Sequence, residues 1–202
     1  MILSEIQYFP PITFFKTSYK NIYIVLDQYE KYRKMSFRNR CLISGANGII
    51  SLSVPLRHGR NQHLPVNEVR IDGSADWQGQ HWKSIQSAYN RSPFFEYYRD
   101  ELEKHFRLKT ELLMDWNLEC LKWVREKLRW PAEIRLTEDP VTGPGKGEWE
   151  DLRGRVLPKN YMNYSPVKYR QVFEEKTGFL PNLSVLDLLF NTGKLAGDLL
   201  KG

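Results

Sequence analysis

A dense group of cationic side chains lies between residues 28 and 40, and it is the clearest chemical feature of the sequence. Its members are Lys31, Arg33, Lys34, Arg38 and Arg40, against the single acid Glu30. Aromatic residues alternate with these cations, a composition typical of a surface that binds an anion or a nucleic acid. A solvated connection between two strands would have the same composition, so both interpretations stay open.

The segment Arg38-Asn39-Arg40 is the part of this stretch that we expect to bind substrate. Guanidinium groups bind phosphate or carboxylate through paired hydrogen bonds, so Arg38 and Arg40 would hold the anionic part of a substrate and Asn39 would orient it. Side chains alternate along a strand. In an extended segment the two arginines therefore share a face, and Asn39 lies on the other face, where a structural role is the alternative.

Four further residues could transfer a proton or stabilise charge. Asp27 or His81 would take a proton from an attacking amine, because a histidine titrates near neutrality and a carboxylate is a common base. Lys83 and Tyr89 would stabilise the charge that develops. His81 shares a helical face with Trp77, so a core histidine hydrogen-bonded to a carbonyl is the competing interpretation.

No metal and no cofactor are expected. His58 and His63 share a loop, but they have no Cys, His or Asp partner at a zinc-binding spacing. The glycine-rich run 143–147 contains Gly145-Lys146 but not the Ser or Thr that a phosphate-binding loop places next. We therefore interpret that run as a surface loop.

The elements that must position these residues can be outlined from periodicity and turn signals. Apolar runs predict strands at 22–26, 40–45, 49–54, 66–71 and 133–136, and Ala46-Asn47-Gly48 predicts a hairpin turn. Spacings of three and four residues predict helices at about 11–18, from 76, from Ser92 as N-cap to 105, at 110–128, at 169–176 and from 184 to 190. The stretch at about 138–166 is rich in Gly and Pro and is predicted to be a partly flexible loop.

This order of elements predicts an α+β fold. We expect a small mixed or antiparallel sheet, with a hairpin at residues 40–54, packed against a helical C-terminal half. The 202 residues are enough for one core, so a single domain over 1–202 is expected.

Composition narrows the cellular setting. The net charge of +6 permits an anionic partner, although a modest excess of surface charge for solubility would also account for it. The N-terminus lacks the apolar run of a signal peptide, no segment is long enough to span a bilayer, and the two cysteines cannot form a disulfide framework. We therefore expect a cytoplasmic protein.

An ordered series of short motifs resembles the WbqC-like protein family, in the form common among Bacteroidetes. The motifs are Tyr8-Phe9-Pro10-Pro11, Ser36-Phe37-Arg38-Asn39-Arg40-Cys41, Ala46-Asn47-Gly48, His81-Trp82-Lys83, Pro93-Phe94-Phe95, Asp151-Leu152-Arg153 and Leu183-Ser184-Val185-Leu186-Asp187. The family's acidic position after the first strand falls at Asp27. The resemblance implies a role near surface-polysaccharide or O-antigen biosynthesis, with transfer of a group to an amino sugar, and it supplies no catalytic residues.

Three functional hypotheses follow. The first is an acyl- or aminoacyl-type transferase that acts on a nucleotide-activated or phosphorylated sugar, and it predicts that Asp27, Arg38, Asn39, His81 and Tyr89 converge on one pocket. The second is a non-catalytic binding or scaffold protein of envelope assembly. A nucleic-acid binder comes third, because the rest of the chain is not strongly basic. The sequence leaves the oligomeric state open.

Overall fold

The computed structural model describes residues 1–141 and 149–202. The strands are β1 (Ile2–Ser4), β2 (Tyr23–Leu26), β3 (Arg40–Gly45), β4 (Gly48–Ser53), β5 (Glu133–Leu136) and β6 (Glu150–Asp151). The helices are α1 (Ile12–Ser18), α2 (Trp77–Tyr89), α3 (Phe95–His105), α4 (Leu113–Leu128), α5 (Glu174–Thr177), α6 (Val185–Thr192) and α7 (Ala196–Lys201). The predicted α+β class is confirmed, with most helices in the C-terminal half.

A four-stranded parallel sheet lies at the centre of the fold, in the order β5-β2-β1-β6. Its β2 strand, Tyr23-Ile24-Val25-Leu26, is rich in the branched apolar residues that suit a buried strand. Ile24 pairs with Ile2 of β1 on one side and with Ile134 of β5 on the other. Because all four strands are parallel, their carboxyl ends lie along one edge of the sheet.

The predicted hairpin at residues 40–54 is confirmed as a separate two-stranded unit. β3 and β4 are antiparallel, with Arg40 opposite Ser53 and Gly45 opposite Gly48. Gly48 has a φ of +113°, which side chains rarely adopt, so a glycine is needed where the chain leaves the turn.

Side-chain capping marks the start of two helices. The Asp76 carboxyl accepts a hydrogen bond from the Gly79 N–H at 3.0 Å at the start of α2, and the Ser184 hydroxyl accepts one from the Leu186 N–H at 3.3 Å at the start of α6. The prediction for Ser92 is wrong. Its hydroxyl donates to the Tyr89 carbonyl at the end of α2, and α3 begins only at Phe95.

One large apolar cluster joins the sheet to the helices. It runs from Ile2 in β1 to Leu200 in α7, and the Trp116 and Trp130 side chains are buried within it. A smaller cluster beside the hairpin contains Phe37, Val156 and Leu183 among others. A continuous core of this kind is what one domain requires, and the domain count stays a prediction.

Three parts of the chain differ from their predicted structure. Residues 66–71 are not a strand: Val66–Glu68 form a 3-10 turn after Pro65, and Arg70 and Ile71 make only isolated bridges. β1 and β6 have three and two residues and were not predicted, because so short a segment has no measurable periodicity. The helix expected at 169–176 is shortened to Glu174–Thr177.

The Gly/Pro-rich stretch at 138–166 is partly regular. It contains β6 and a 3-10 turn at Tyr161–Asn163. The run 143–147 lies outside the described residues. Among the helices of residues 1–141 and 149–202, none is long and apolar enough to cross a bilayer.

Candidate functional site

The carboxyl edge of the parallel sheet collects charged side chains. β1 is followed by Glu5, β2 by Asp27, and β6 itself ends on Asp151, two residues before Arg153. The connections from β1 to β2 and from β2 to β5 run towards one edge of the sheet, and the next one, from β5 to β6, crosses to the other side of β1. Crevices at such a switch point are the usual ligand sites of parallel sheets.

Arg153 joins two of these carboxyl groups. Its Nη1 donates to the Asp27 Oδ2 at 2.5 Å and its Nη2 donates to the Asp151 Oδ2 at 2.7 Å. The other Asp27 oxygen accepts the backbone N–H groups of Tyr29 and Glu30 at 3.0 and 3.1 Å. Asp27 is thus buried and fully hydrogen-bonded, and it fixes the turn that leads into the basic stretch.

Glu30 and Arg38 form a second pair close by. The Arg38 Nε and Nη2 donate to the two Glu30 oxygens at 2.8 and 2.5 Å. The Arg38 side chain is 2% exposed and that of Glu30 11%. Burial raises the pKa of Glu30 to about 7, against the opposing effect of Arg38, and the nearby Glu5 and Asp27 raise it further.

Glu5 completes a set that we call the strand-end cluster. Its Oε1 accepts the Gln7 amide N–H at 3.0 Å, and its Oε2 accepts the backbone N–H of Gly154 at 2.8 Å. The cluster consists of Glu5, Asp27, Glu30, Arg38, Asp151 and Arg153.

A groove that we call the basic cleft lies next to this cluster along the chain. Its volume is about 500 Å³, and it is lined by Lys31, Tyr32, Arg33, Lys34, Arg60, Asn61, Gln62 and His63. None of these lining residues is acidic. Within the described part of the chain, its four Lys and Arg side chains form no ion pair. Among the residues that the structure describes, no ion pair therefore compensates the positive charge of the cleft.

Arg33 and Tyr32 connect the cleft to its surroundings. A Cβ placed on Gly154 would lie 2.5 Å from the Arg33 Nη1, so the Arg33 guanidinium rests against the glycine whose N–H binds Glu5. Burial raises the pKa of the Tyr32 hydroxyl, while Arg38, Arg60 and Arg40 oppose the rise. Three arginines from two parts of the chain thus lie near this one phenol.

The three residues predicted to bind substrate have different surroundings. Arg38 is paired internally with Glu30, as described above. Asn39 is buried, and its amide accepts from the Tyr32 hydroxyl at 2.9 Å and donates to the Val54 carbonyl at 3.0 Å, which are structural contacts. Arg40 is half-buried at the start of β3, and its Nε has no hydrogen-bond partner. Binding of substrate by these residues stays a prediction.

His81 lies in an aromatic part of the core. Its Nδ1 is 3.0 Å from the Tyr8 hydroxyl, and its ring packs against Trp77 and Tyr8 at centroid distances of 5.2 and 5.8 Å. Burial lowers its pKa to about 4, with a small opposing effect from the Ser53 backbone. These contacts are those of a core histidine, and its role as a general base stays a prediction.

Tyr89 belongs to another network, centred on Asp187. The Asp187 oxygens accept the Tyr89 and Tyr169 hydroxyls at 2.7 and 2.5 Å and the Gln171 amide at 2.9 Å. The Tyr89 oxygen in turn accepts the Ser44 N–H at 3.0 Å. Burial raises the pKa of Asp187 although these hydrogen bonds oppose it. The network ties α2, β3 and α6 together.

The predicted site residues thus divide among separate contact networks. Asp27 and Arg38 both belong to the strand-end cluster, His81 and Tyr89 have their own partners, and Lys83 is exposed on α2. Glu5, Glu30 and Arg153 were not predicted to be site residues. The motif Asp151-Leu152-Arg153 was a signal, but its meaning depends on β6, which has no periodicity of its own.

No group of three or more His, Cys, Asp or Glu in residues 1–141 and 149–202 is arranged to hold a metal ion.

Comparisons with known proteins agree with the resemblance noted in the sequence. The model of the WbqC-like protein family matches residues 6–157 and 148–198. The uncharacterized protein Rv1507c of Mycobacterium tuberculosis is 28% identical over 208 residues, covering 89% of this chain and 87% of that protein. No solved structure matches the chain significantly.

Proposed function

The chain belongs to the WbqC-like protein family, and we propose that it is a group-transfer enzyme that binds the anionic part of a nucleotide-activated or phosphorylated amino sugar in the basic cleft. The transferred group is an acyl or aminoacyl group. The resemblance to the family favours surface-polysaccharide biosynthesis as the setting.

The observation that carries this proposal is the uncompensated charge of the basic cleft. Two lysines and two arginines line about 500 Å³ without an acid among the lining residues. Like charges held together repel one another, and an anion that binds between them relieves the repulsion. Arginine and lysine side chains are the usual ligands of phosphate groups, and the volume suits a small molecule better than a macromolecule.

The position of the cleft adds support. Residues 31–34 follow directly on Asp27 and Glu30, which the strand-end cluster holds at the carboxyl edge of the parallel sheet. Ligands of parallel sheets bind at that edge. The Asp27 carboxyl accepts the backbone N–H groups of Tyr29 and Glu30, so the backbone that carries the cations of the cleft does not need a ligand to order it.

A thermal-shift panel tests the proposal. Nucleotide sugars and nucleoside diphosphates at a hundredfold excess over Kd should raise the melting temperature by about 5–10 °C, because a ligand that binds only the folded state stabilises it. Neutral sugars should have no effect. A shift with single-stranded oligonucleotides and none with any nucleotide sugar would overturn the proposal in favour of nucleic-acid binding.

A further inference from the structure

The segment before α5 has the side-chain arrangement of a β-strand but pairs with no strand among the described residues. Residues 165–171 contain no turn or bend. Alternate side chains lie inside and outside: Val167, Tyr169 and Gln171 are buried or half-buried, and Lys168 and Arg170 are exposed. A period of two residues is that of an extended strand.

The backbone of this segment offers hydrogen-bonding groups to a partner. Within residues 1–141 and 149–202, no hydrogen bond involves the backbone N–H or C=O of Lys168, Tyr169 or Arg170. Such a row of backbone groups on an extended segment is a template for one more strand, as at the edge of a sheet. Extended peptides bind to proteins in this way, by strand addition.

Hydrogen bonds of the inward side chains hold the segment in place. The Tyr169 hydroxyl donates to the Asp187 Oδ2 at 2.5 Å, and the Gln171 amide donates to the same oxygen at 2.9 Å. The Gln171 amide also donates to the Leu180 carbonyl at 2.9 Å and accepts the Leu180 N–H at 2.8 Å. The segment is therefore ordered before a partner binds, which lowers the entropic cost of binding.

Three grooves follow this segment and share its residues. A groove of about 560 Å³ and one of about 510 Å³ are both lined by Arg91, Val172 and Phe173. The second adjoins a third groove of about 530 Å³, with which it shares Arg170 and Glu175. Together they form one continuous surface, which we call the lateral groove. Its extent suits an extended chain better than a single small ligand.

Cations outnumber acids in the lateral groove. Its ionisable lining residues, apart from a tyrosine, are Arg91, Arg99, Lys168, Arg170, Glu174 and Glu175. Both acids are engaged, because Glu175 pairs with Arg170 and Glu174 accepts a backbone N–H. In the part of the chain that the structure describes, Arg91 and Lys168 form no ion pair. The groove therefore attracts an acidic partner and repels a basic one.

We propose that the lateral groove docks an extended acidic segment of a partner protein, which pairs with residues 167–171 as an additional β-strand. Acidic side chains of the partner contact Arg91 and Arg99, and its apolar side chains contact the half-buried Val172 and Phe173. A docking surface for a protein goes beyond the proposed function and does not depend on it.

A blocked hexapeptide of alternating glutamate and valine is the probe. In calorimetric titration it should bind the full-length protein with a Kd on the order of 10⁻⁵ M. The same peptide with lysine in place of glutamate should bind about tenfold or more weakly, because its charge is repelled.

N-methylation of the probe tests the pairing itself. A strand turns alternate N–H groups towards its neighbour, so methylation of the glutamates and methylation of the valines should differ in effect. One of these two peptides should bind about tenfold or more weakly than the parent, and the other should bind like it. Charge and side chains are the same in both.

Amide hydrogen exchange locates the bound peptide. The backbone N–H groups of residues 168–170 should exchange rapidly in the free protein, because no described group accepts a hydrogen bond from them. The peptide should slow the exchange of alternate amides in this segment about tenfold or more.

Two double variants connect the peptide to the groove. Arg91→Ala/Arg99→Ala should weaken peptide binding about tenfold or more, because charge-assisted hydrogen bonds are lost. Arg33→Ala/Arg60→Ala is the matched control, since these arginines line the basic cleft, and it should bind the peptide like the natural sequence.

Each outcome decides. The inference fails if the glutamate peptide does not bind at millimolar concentration, if the two methylated peptides bind alike, or if residues 168–170 gain no protection. Equal binding of a single-stranded oligonucleotide of the same charge would show that the groove recognises charge alone, and it too would overturn the inference. Uridine diphosphate is titrated separately: if it fails to bind, the proposed function fails while this inference stands.

Discussion

The strand-end cluster and the basic cleft are neighbouring charged regions built on opposite principles. In the cluster, carboxyl and guanidinium groups are buried or half-buried and bonded to one another, as the half-buried Arg153 is to the buried Asp27 and to Asp151. In the cleft, the Lys and Arg side chains are exposed and form no ion pair within the described residues. A residue next to a partner of such a pair can thus lie on an open surface, as the exposed Lys31 directly follows Glu30.

The difference indicates a division of labour between the two regions. Buried ion pairs gain little net stability, but removal of one partner is costly, so they hold a shape firmly. Exposed and unpaired cations gain nothing for the fold and are available to a ligand. Substitutions in the cluster should therefore change the free energy of unfolding, and substitutions in the cleft should change binding.

The largest effect is expected for Arg153→Met. The variant leaves Asp27 and Asp151 without their shared partner, which should lower the free energy of unfolding by about 3–5 kcal/mol. Arg155→Met is the matched control, because Arg155 pairs with Glu150 at the surface and its loss should cost less than about 1 kcal/mol. Urea unfolding curves measure both. Equal losses of unfolding free energy in the two variants would contradict the distinction between the ion pairs of the cluster and an ion pair at the surface.

The pH dependence of Glu30 should give the next largest effect. Its pKa is raised from 4.5 to about 7 in the folded protein, so between these values the folded state holds a proton that the unfolded state has released. Its contribution to stability is fully present below about pH 4.5 and is lost as the pH rises to about 7, by at most about 1.4 kcal/mol per pH unit. In the Glu30→Gln variant the side chain at position 30 has no titratable group, so the variant lacks this pH dependence.

The free energy of unfolding of the natural sequence minus that of the Glu30→Gln variant should therefore decrease as the pH rises from 5 to 7. Urea unfolding curves at each pH measure both values. If that difference rises instead, Arg38 lowers the pKa of Glu30 more than burial raises it. The pair would then be a stabilising ion pair at neutral pH.

Tyr32 lies where the two regions meet, and Tyr32→Phe should have a moderate effect. The variant removes the hydrogen bond to the Asn39 Oδ1 and leaves that buried acceptor unpaired, which should cost about 1–2 kcal/mol. Thermal unfolding measures the loss. Tyr29→Phe is the control, because the Tyr29 hydroxyl donates to an exposed carbonyl of Glu138 that water can satisfy. Similar losses in both variants would contradict a structural role for the Tyr32–Asn39 bond.

The smallest effect on stability is expected for the cleft itself. The double variant Arg33→Ala/Arg60→Ala removes two surface cations that form no ion pair with the described residues, and it should change the free energy of unfolding by less than about 0.5 kcal/mol. A loss as large as that of Arg153→Met would show that the cleft is part of the structural frame.

The sequence predicted the elements with strong local signals and missed those that depend on distant partners. β2, the hairpin and α2 were found because an apolar run, an Asn-Gly turn and a helical spacing are each visible within a few residues. β1 and β6 were missed because three or two residues become strands only when neighbours pair with them.

The same limit applies to the candidate site. The cations at 31–34 were visible as a composition, whereas their partner segment at 60–63 was interpreted only as a polar loop. Arg153 reaches Asp27 across 126 positions and Tyr89 reaches Asp187 across 98, and no local pattern reports such contacts. Asp187 lies in the first turn of α6, yet its side chain accepts hydrogen bonds from two tyrosines and a glutamine that are distant in sequence.

The most direct test of the account is calorimetric titration of uridine diphosphate into three proteins. The natural sequence should bind it, and Arg33→Ala/Arg60→Ala should bind about tenfold or more weakly, because each lost charged hydrogen bond costs roughly 1.5 kcal/mol or more. Arg91→Ala/Arg99→Ala is the matched control, since those arginines line a different groove of about 560 Å³. It should bind like the natural sequence. Unchanged affinity in the first variant, or an equal loss in the control, would contradict the assignment of the basic cleft.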